Sequence, residues 1–517
     1  MPRPACLWLL LVPCALIAQT PVSPEHAAAG VTAADVVRRI GILSDDSMRG
    51  RDTPSPELEK VASWIAEEFR RFGLQPGAGD GTYLQRYPVR RTQLDTSQSF
   101  LTVSRGSASP VTLKAGRELS PLQLGQPLPS RDVAGPVVLL TGRADAAADP
   151  LAGADVSGAW LAEPASAGSG GLRLDLRAAR AAFAAGAVGL LVISDRSDAE
   201  WQAQVTGGLR PTVTLGGEVR ADTALVPGLV EIRDRAAARV LGIDAAALRA
   251  EQPRSARRLG VTLTFRARER VVSETTAPNV IGVLEGSDPA LKHEYVLFTA
   301  HMDHVGAASS QNPACQARGG DSICNGADDD ASGTTAVIEN AGAFARLSPR
   351  PRRSLVFMTV SGEEKGLWGS GYFTGHPTVP LAAVVADLNA DMVGRNWTDT
   401  IAVIGKEHSD LGPTLDRVAA LHPELRMTPI GDIWPSENFY SRSDHYNFAR
   451  RGVPILFFFN GTHPDYHQVS DEVSKIDGEK ESRIIKLIFY LGLEIANAAE
   501  RPRWNRDSYR RIVEGAN

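Results

Sequence analysis

The residues able to do chemistry fall in five short clusters in the second half of the chain. They read Thr299-Ala300-His301-Met302-Asp303-His304, Asn325-Gly326-Ala327-Asp328-Asp329-Asp330-Ala331-Ser332-Gly333, Ser361-Gly362-Glu363-Glu364, Asn389-Ala390-Asp391 and His463-Pro464-Asp465-Tyr466-His467. Histidines and carboxylates without cysteine suit zinc or a similar divalent ion. Two such ions ~3.5–4 Å apart need a carboxylate that reaches both, and each needs a His and a carboxylate besides, with room for a shared water. The clusters contain that set. Singly, His-x-Asp and Glu-Glu recur by chance; five clusters in this order, each beside an apolar run or a glycine turn, single out one site. Asp328, Asp330, His304, His463 and Asp465 read as loop or turn residues rather than ligands. A Ser–His–Asp hydrolase ranks far below, because no Gly-x-Ser-x-Gly elbow stands beside a strand end.

Distant clusters converge if each closes a strand of an open α/β sheet, where ligands bind beyond the carboxyl ends. After Ala277 short apolar runs at 280–284, 295–300, 354–360 and 454–459 read as strands. Helical segments such as 333–347 separate them, and a final helix spans about 480–499. This alternation predicts an α/β fold, a mostly parallel mixed sheet sandwiched by helices. Upstream, a helix begins near Thr32. A second runs over 55–72 with Leu58, Val61, Trp64, Ile65, Phe69 and Phe72 on one side, Pro56 at its start and Gly73 at its end. Residues 19–32 read as a disordered leader.

The character changes over 95–275. Strand-like runs at 137–140 and 190–193 flank an Ala-rich helix at about 174–185, closed by Gly186, among long Gly, Ala, Pro and Asp loops. No cluster of His, Glu or Cys occurs there, so this is a binding or lid domain without chemistry of its own. The expected organisation is therefore a signal peptide (1–18), an N-terminal part of the catalytic domain (19–94), the insert (95–275) and the catalytic domain (276–517).

The chain has 517 residues, 43% hydrophobic and 22% charged, which is ordinary for a globular protein of two or three domains. A net charge of −5 leaves no basic footprint, so nucleic acid is not an expected partner. Arg3 followed by an apolar stretch to Ala18 fits a secretory signal peptide, too short to span a bilayer, and no later run is long enough to do so. The expected location is secreted or periplasmic. Cys6 and Cys14 leave with the signal, and the remaining Cys315 and Cys324 should pair in an oxidising compartment.

His301-x-Asp303, the run from Gly326 to Gly333, Glu363-Glu364-x-Gly366 and Tyr466-His467 resemble the motifs of the co-catalytic dizinc aminopeptidases and glutamate carboxypeptidases, a superfamily that includes the transferrin receptor. The resemblance spans nearly the whole mature chain and implies two zinc ions. It makes Asp329 the bridging carboxylate, with His301 and Asp391 completing one site and Glu364 and His467 the other. Glu363 becomes the general base, and a cis peptide is implied at Asp329–Asp330. Asp303 is then placed to accept the second ring N–H of His301, fixing its tautomer. Tyr466 resembles the family tyrosine that donates to the oxyanion. Ser443-Asp444-His445 resembles a pocket-wall segment, and Trp434, Phe439 and Tyr440 either line a specificity pocket or form a packed loop. Val133 to Leu139 and Ala185 to Leu191 resemble a protease-associated domain, which implies a β-rich α/β insert.

The implied function is an aminopeptidase acting on peptide or protein N-termini. Its rivals are a carboxypeptidase, which needs a cation for the substrate carboxylate (Arg395 is the candidate), a one-zinc glutaminyl cyclase, and a non-enzymatic receptor-like protein that would have lost ligands.

Overall fold

The computed structural model describes residues 21–122, 130–142, 149–168, 171–216, 228–249, 253–309, 312 and 314–515. The expected signal peptide, with Cys6 and Cys14, lies outside them. Packing divides the chain into two units, one of residues 88–276 and one of 1–87 with 277–517. The sequence places the insert at 95–275. The strands Leu84–Leu94 and Glu269–Leu284 run across both edges of the smaller unit; the shift in composition falls seven residues later than the change of unit at the first edge and within one residue of it at the second.

The larger unit begins with α1 (Pro24–Ala29), where the sequence suggests disorder. Ser23 caps it, Pro24 opens it, and Ala27 and Ala28 are buried. Helices α2 (Ala33–Leu43) and α3 (Pro56–Arg71) follow, capped by the side chains of Thr32 and Ser55. Leu58, Val61, Ile65 and Phe69 form the buried stripe of α3.

The strands that position the site are β1 (Glu269–Leu284), β2 (Tyr295–His301), β3 (Ser354–Val360), β4 (Val384–Ala390), β5 (Thr400–Ile404), β6 (Thr428–Ile430) and β7 (Ile455–Phe458). They pair in the order β1-β3-β2-β4-β7-β5-β6. β3, β2, β4 and β7 are mutually parallel, while β1 and β5 join antiparallel. Two long helices, α4 (Gly333–Arg346) and α5 (Gly478–Asn497), complete the scaffold, and a short α6 (Arg506–Tyr509) follows them.

Alternate residues of β2 and β3 feed two cores. Phe298 stacks on Phe357 and tilts against Phe344 of α4, which packs on Phe489 of α5. Leu297, Val356 and Met358 belong to a second cluster with Phe373, Phe448 and Phe457. A sheet buried on both faces explains why these strands read as unbroken apolar runs.

Topology fixes where the chemistry goes. The chain leaves β2 for β3 on one side and then reaches β4 on the other, so β2 is a switch point, where open α/β sheets form a crevice. Register aligns the strand ends, with His301 opposite Val360 and Thr299 opposite Asn389. The clusters at 301–304, 361–364 and 389–391 therefore emerge on one edge.

The smaller unit holds four parallel strands, Arg131–Thr141, Trp160–Gly168, Gly189–Ser194 and Gly228–Arg233, extended by antiparallel Ser255–Ala267, Phe100–Ser104 and Val111–Lys114. Trp160 is fully buried over Gly189 and Gly228, where a Cβ would come within 2.5 and 2.3 Å of its ring. The Ala-rich helix spans Leu176–Ala184. Among the described residues, the metal-capable clusters lie in the larger unit.

Candidate metal centre

Each ligand candidate is delivered by a distinct feature. His301 ends β2 and Asp391 follows β4. Glu363 and Glu364 follow β3, past Gly362 at φ 73°. Asp329 lies in the wide turn 327–332 that leads into α4, and the Asp329–Asp330 peptide is cis. His467 comes from the loop after β7 and adopts φ 56°, the left-handed region in which non-glycine residues are uncommon.

These side chains meet around Asp329. Its Oδ1 is 3.3 Å from His301 Nε2, which is 3.6 Å from Asp391 Oδ1. Its Oδ2 is 3.2 Å from His467 Nε2, which is 3.2 Å from Glu364 Oε2. A tetrahedral ion with bonds of about 2.0–2.2 Å holds adjacent donors roughly 3.3–3.6 Å apart. The two Asp329 oxygens thus face two donor sets, each spaced for a small divalent cation. Asp329 Oδ2 and His467 Nε2 are buried and make no hydrogen bond, so the donor set fits a metal better than it fits itself.

The surroundings orient these donors. His301 Nδ1 is 3.1 Å from the main-chain oxygen of Asp303 and 3.7 Å from its carboxylate. The sequence assigns the tautomer-fixing role to Asp303, and the atom at hydrogen-bond distance is its carbonyl. Donation there leaves Nε2 as a lone pair facing Asp329 and Asp391. The Asp303 carboxylate accepts instead from Thr53 Oγ1 at 2.9 Å and from the Glu363 amide at 3.3 Å. Ser443 donates to Asp391 Oδ2 at 2.9 Å, leaving Oδ1 for the cluster.

Asp330, read as a turn residue, accepts the amides of His301, Gly333 and Met392. Asp328 accepts from Gly394 and stands 3.2 Å from His463. Asp465 accepts from Arg395, Ser470 and Lys475. Asp444 accepts from Ser370 at 2.5 Å, and His445 stacks on Phe457. These residues hold the loops. His304 does not follow that pattern. It is fully buried, with Nδ1 2.8 Å from Glu364 Oε1 and 3.7 Å from Asp329 Oδ2. With Asp329 and Glu364 it forms a group able to hold a metal ion, although the sequence reads it as a loop residue.

Electrostatics points the same way. Burial pulls the His467 imidazole down, but Asp329 and Glu364 outweigh it and push it up to about 10. Burial drives the Glu363 carboxyl well above the ordinary range; His301 opposes this, and Glu364, Asp444 and Asp391 add to it. Carboxylates outnumber cationic side chains here, and a divalent cation is the group that balances them. Burial, reinforced by Asp329 and Glu364, also pushes the Tyr466 phenol up, keeping its proton available for donation.

A cavity opens over the centre, walled by His301, Asp329, Glu363, Asp391, Tyr466 and an apolar set with Phe439, Phe457 and Phe459. Trp434 packs behind Phe439 and Phe459, while Tyr440 packs on His408 and His445. Of the three aromatic candidates, Phe439 lines the cavity.

The family model described as Peptidase family M28 matches residues 279–492, a span containing every candidate ligand. A probable leucine aminopeptidase of Trichophyton verrucosum (strain HKI 0517) is 26% identical over 238 residues, 44% of this chain and 61% of that protein. A probable zinc metalloprotease of Pyricularia oryzae (strain 70-15 / ATCC MYA-4617 / FGSC 8958) is 41% identical over 195 residues, 32% of this chain and 38% of the relative. The chain thus spans less than two thirds of the length of these curated relatives. Among solved structures, an aminopeptidase from Aneurinibacillus sp. strain AM-1 superposes with a TM-score of 0.50 at 18% identity, covering 93% of this chain and 97% of that one. This likeness shows the fold.

Proposed function

We propose that the chain is a secreted or periplasmic dizinc metallo-exopeptidase, an aminopeptidase, with one zinc held by His301, Asp329 and Asp391 and the other by Asp329, Glu364 and His467. The observation that carries this reading is the division of the Asp329 carboxylate between two donor sets at coordination spacing. Zinc bound there supplies Lewis acidity toward the scissile carbonyl and lowers the pKa of a coordinated water.

The remaining work falls to side chains. Glu363 lies in the cavity wall and is no member of either donor set. It takes the proton of the attacking water and passes it to the departing amine, so the water adds to the carbonyl carbon as the C–N bond breaks. Tyr466, protonated and in the same wall, donates to the oxygen that gains charge. The excess of carboxylates around the cavity suits a free α-ammonium, and Phe439, Phe457 and Phe459 give an apolar wall for the first side chain.

Arg395, the cation considered for a carboxypeptidase, is engaged by Asp465 at 3.0 Å. One observation favours that rival: Arg442 stands in the cavity wall, 4.7 Å from the Phe439 ring centroid. A peptide panel decides. Free N-termini cleaved, N-acetylated peptides refused and C-terminal amides accepted support the aminopeptidase; the opposite pattern supports the rival.

The insert is read as a protease-associated domain on its runs at 133–139 and 185–191. The proposed location rests on residues 1–18, together with the Cys315–Cys324 disulfide.

A further inference from the structure

Residues 46–53 take a costly path. Arg49 and Arg51 adopt φ 44° and 49° on either side of Gly50 at 68°. Consecutive left-handed residues persist where surrounding contacts over-determine them. Gly50 is required, because a Cβ there would come within 2.5 Å of the Cys324 oxygen and 2.7 Å of Gly306.

The path carries Arg51 into the interior, where it is 1% exposed. All four hydrogen-bond partners of its guanidinium are main-chain carbonyls. Nε donates to Met302 at 2.9 Å, Nη1 to Leu43 and Asn325 at 2.8 and 2.6 Å, and Nη2 to Gly326 at 3.0 Å. Met302 lies between His301 and Asp303, and Asn325-Gly326 opens the turn that holds Asp329. One rigid fork thus ties together the loops that carry the first histidine and the shared carboxylate.

Two residues on, buried Thr53 ties in the third loop. Its hydroxyl donates to Asp303 Oδ2 at 2.9 Å and accepts from the Gly362 amide at 3.1 Å, beside Glu363. The same stretch takes the Gly306 amide on the Gly50 oxygen and the Asn325 side-chain amide on Asp46.

We infer that residues 50–53 form a strap that sets the spacing of the three ligand-bearing loops, with Arg51 and Thr53 as positioning residues for the metal centre. The strap rests on the metal reading above. It assigns the segment before α3 a part in function rather than only in packing. Metal-site partners one shell out commonly tune affinity 10–100-fold.

The experiment compares zinc affinity, by competition with a chelator on the full chain, for wild type, Thr53→Val, Thr53→Ser and Arg51→Lys. Melting of each metal-free protein is followed in parallel. Thr53→Val is expected to weaken zinc about 10–100-fold and Thr53→Ser to restore it. Arg51→Lys keeps the charge but not the fork, and weakens zinc likewise. Wild-type affinity in Thr53→Val, with only a lower melting temperature, overturns the strap. If Thr53→Val does not fold, wild-type affinity in Arg51→Lys overturns it and weakened affinity there supports it. A wild-type chain that takes up no zinc refutes the proposed function instead. The strap is then read by amide exchange at Gly362 and Glu363 in metal-free protein. Faster exchange in the variants supports it, and unchanged exchange overturns it.

Discussion

Glu363 and Glu364 are adjacent and chemically identical, yet the fold gives them different work. Glu364 approaches His467 and His304, while Glu363 faces the cavity. Glu363→Gln should keep both metals and lose about 10²–10⁴ in turnover, whereas Glu364→Gln should lose metal first. Measuring kcat and zinc content for both variants checks the assignment, and zinc loss in Glu363→Gln alone would reverse it. Asp387 is buried in β4 and accepts from Thr299. Burial lifts its carboxyl from 3.8 to about 8. Its folded pKa exceeds its unfolded value, so its contribution is complete below about pH 4 and is lost as pH rises through 8. Asp387→Asn has no charge to bury. Its stability relative to wild type should therefore climb between pH 4 and 8 in paired denaturant melts, and a flat difference would contradict the assignment. At this scale the motifs identified the residues that cluster, because His and carboxylates beside strand ends have few other uses. His304 was not legible, since a side chain on an irregular turn has no period to fix its direction. Arg51 was not either, because an arginine among Asp, Ser and Gly reads as surface.

The elements explain why the ligands arrive together. β2, β3 and β4 end level, and α4 starts directly after the turn of Asp329. Gly333 lets that helix approach β4, for a Cβ there would sit 2.1 Å from the Ala390 oxygen. Gly333→Ala should force α4 away from the strand that delivers Asp391. The expected cost is about 1–3 kcal/mol of stability and weaker zinc binding, read by melting and chelator competition; an unchanged protein would show that the contact does not set the geometry. The apolar runs of β2, β3 and β7 were plain in the sequence because both faces of the sheet are buried. β5 and β6 were not, being short strands on the edge side of β7. α1 was missed because its Ala-rich turn has little apolar pattern of its own and is stabilised by tertiary burial of Ala27 and Ala28.

The whole molecule separates into two units of different character. The larger carries every donor atom of the candidate centre; the smaller, over 88–276, has its own core around Trp160 and Phe265. Replacing 88–276 by a short Gly/Ser linker should leave a folded, metal-binding protein with altered substrate range, as judged by melting, zinc content and a peptide panel. A product that does not fold would show that the larger unit depends on the insert. Composition made the two-part organisation and its second edge legible, while the first edge, crossed by the continuous strand Leu84–Leu94, was placed seven residues late. In the larger unit Asp329 is proposed to serve two cations at once, one through each carboxylate oxygen. Metal analysis of the purified chain after zinc reconstitution and removal of loose ions tests it most directly. Two zinc ions per chain, falling to one or none in Asp329→Asn, is the result expected here; a wild-type content that never exceeds one would contradict it.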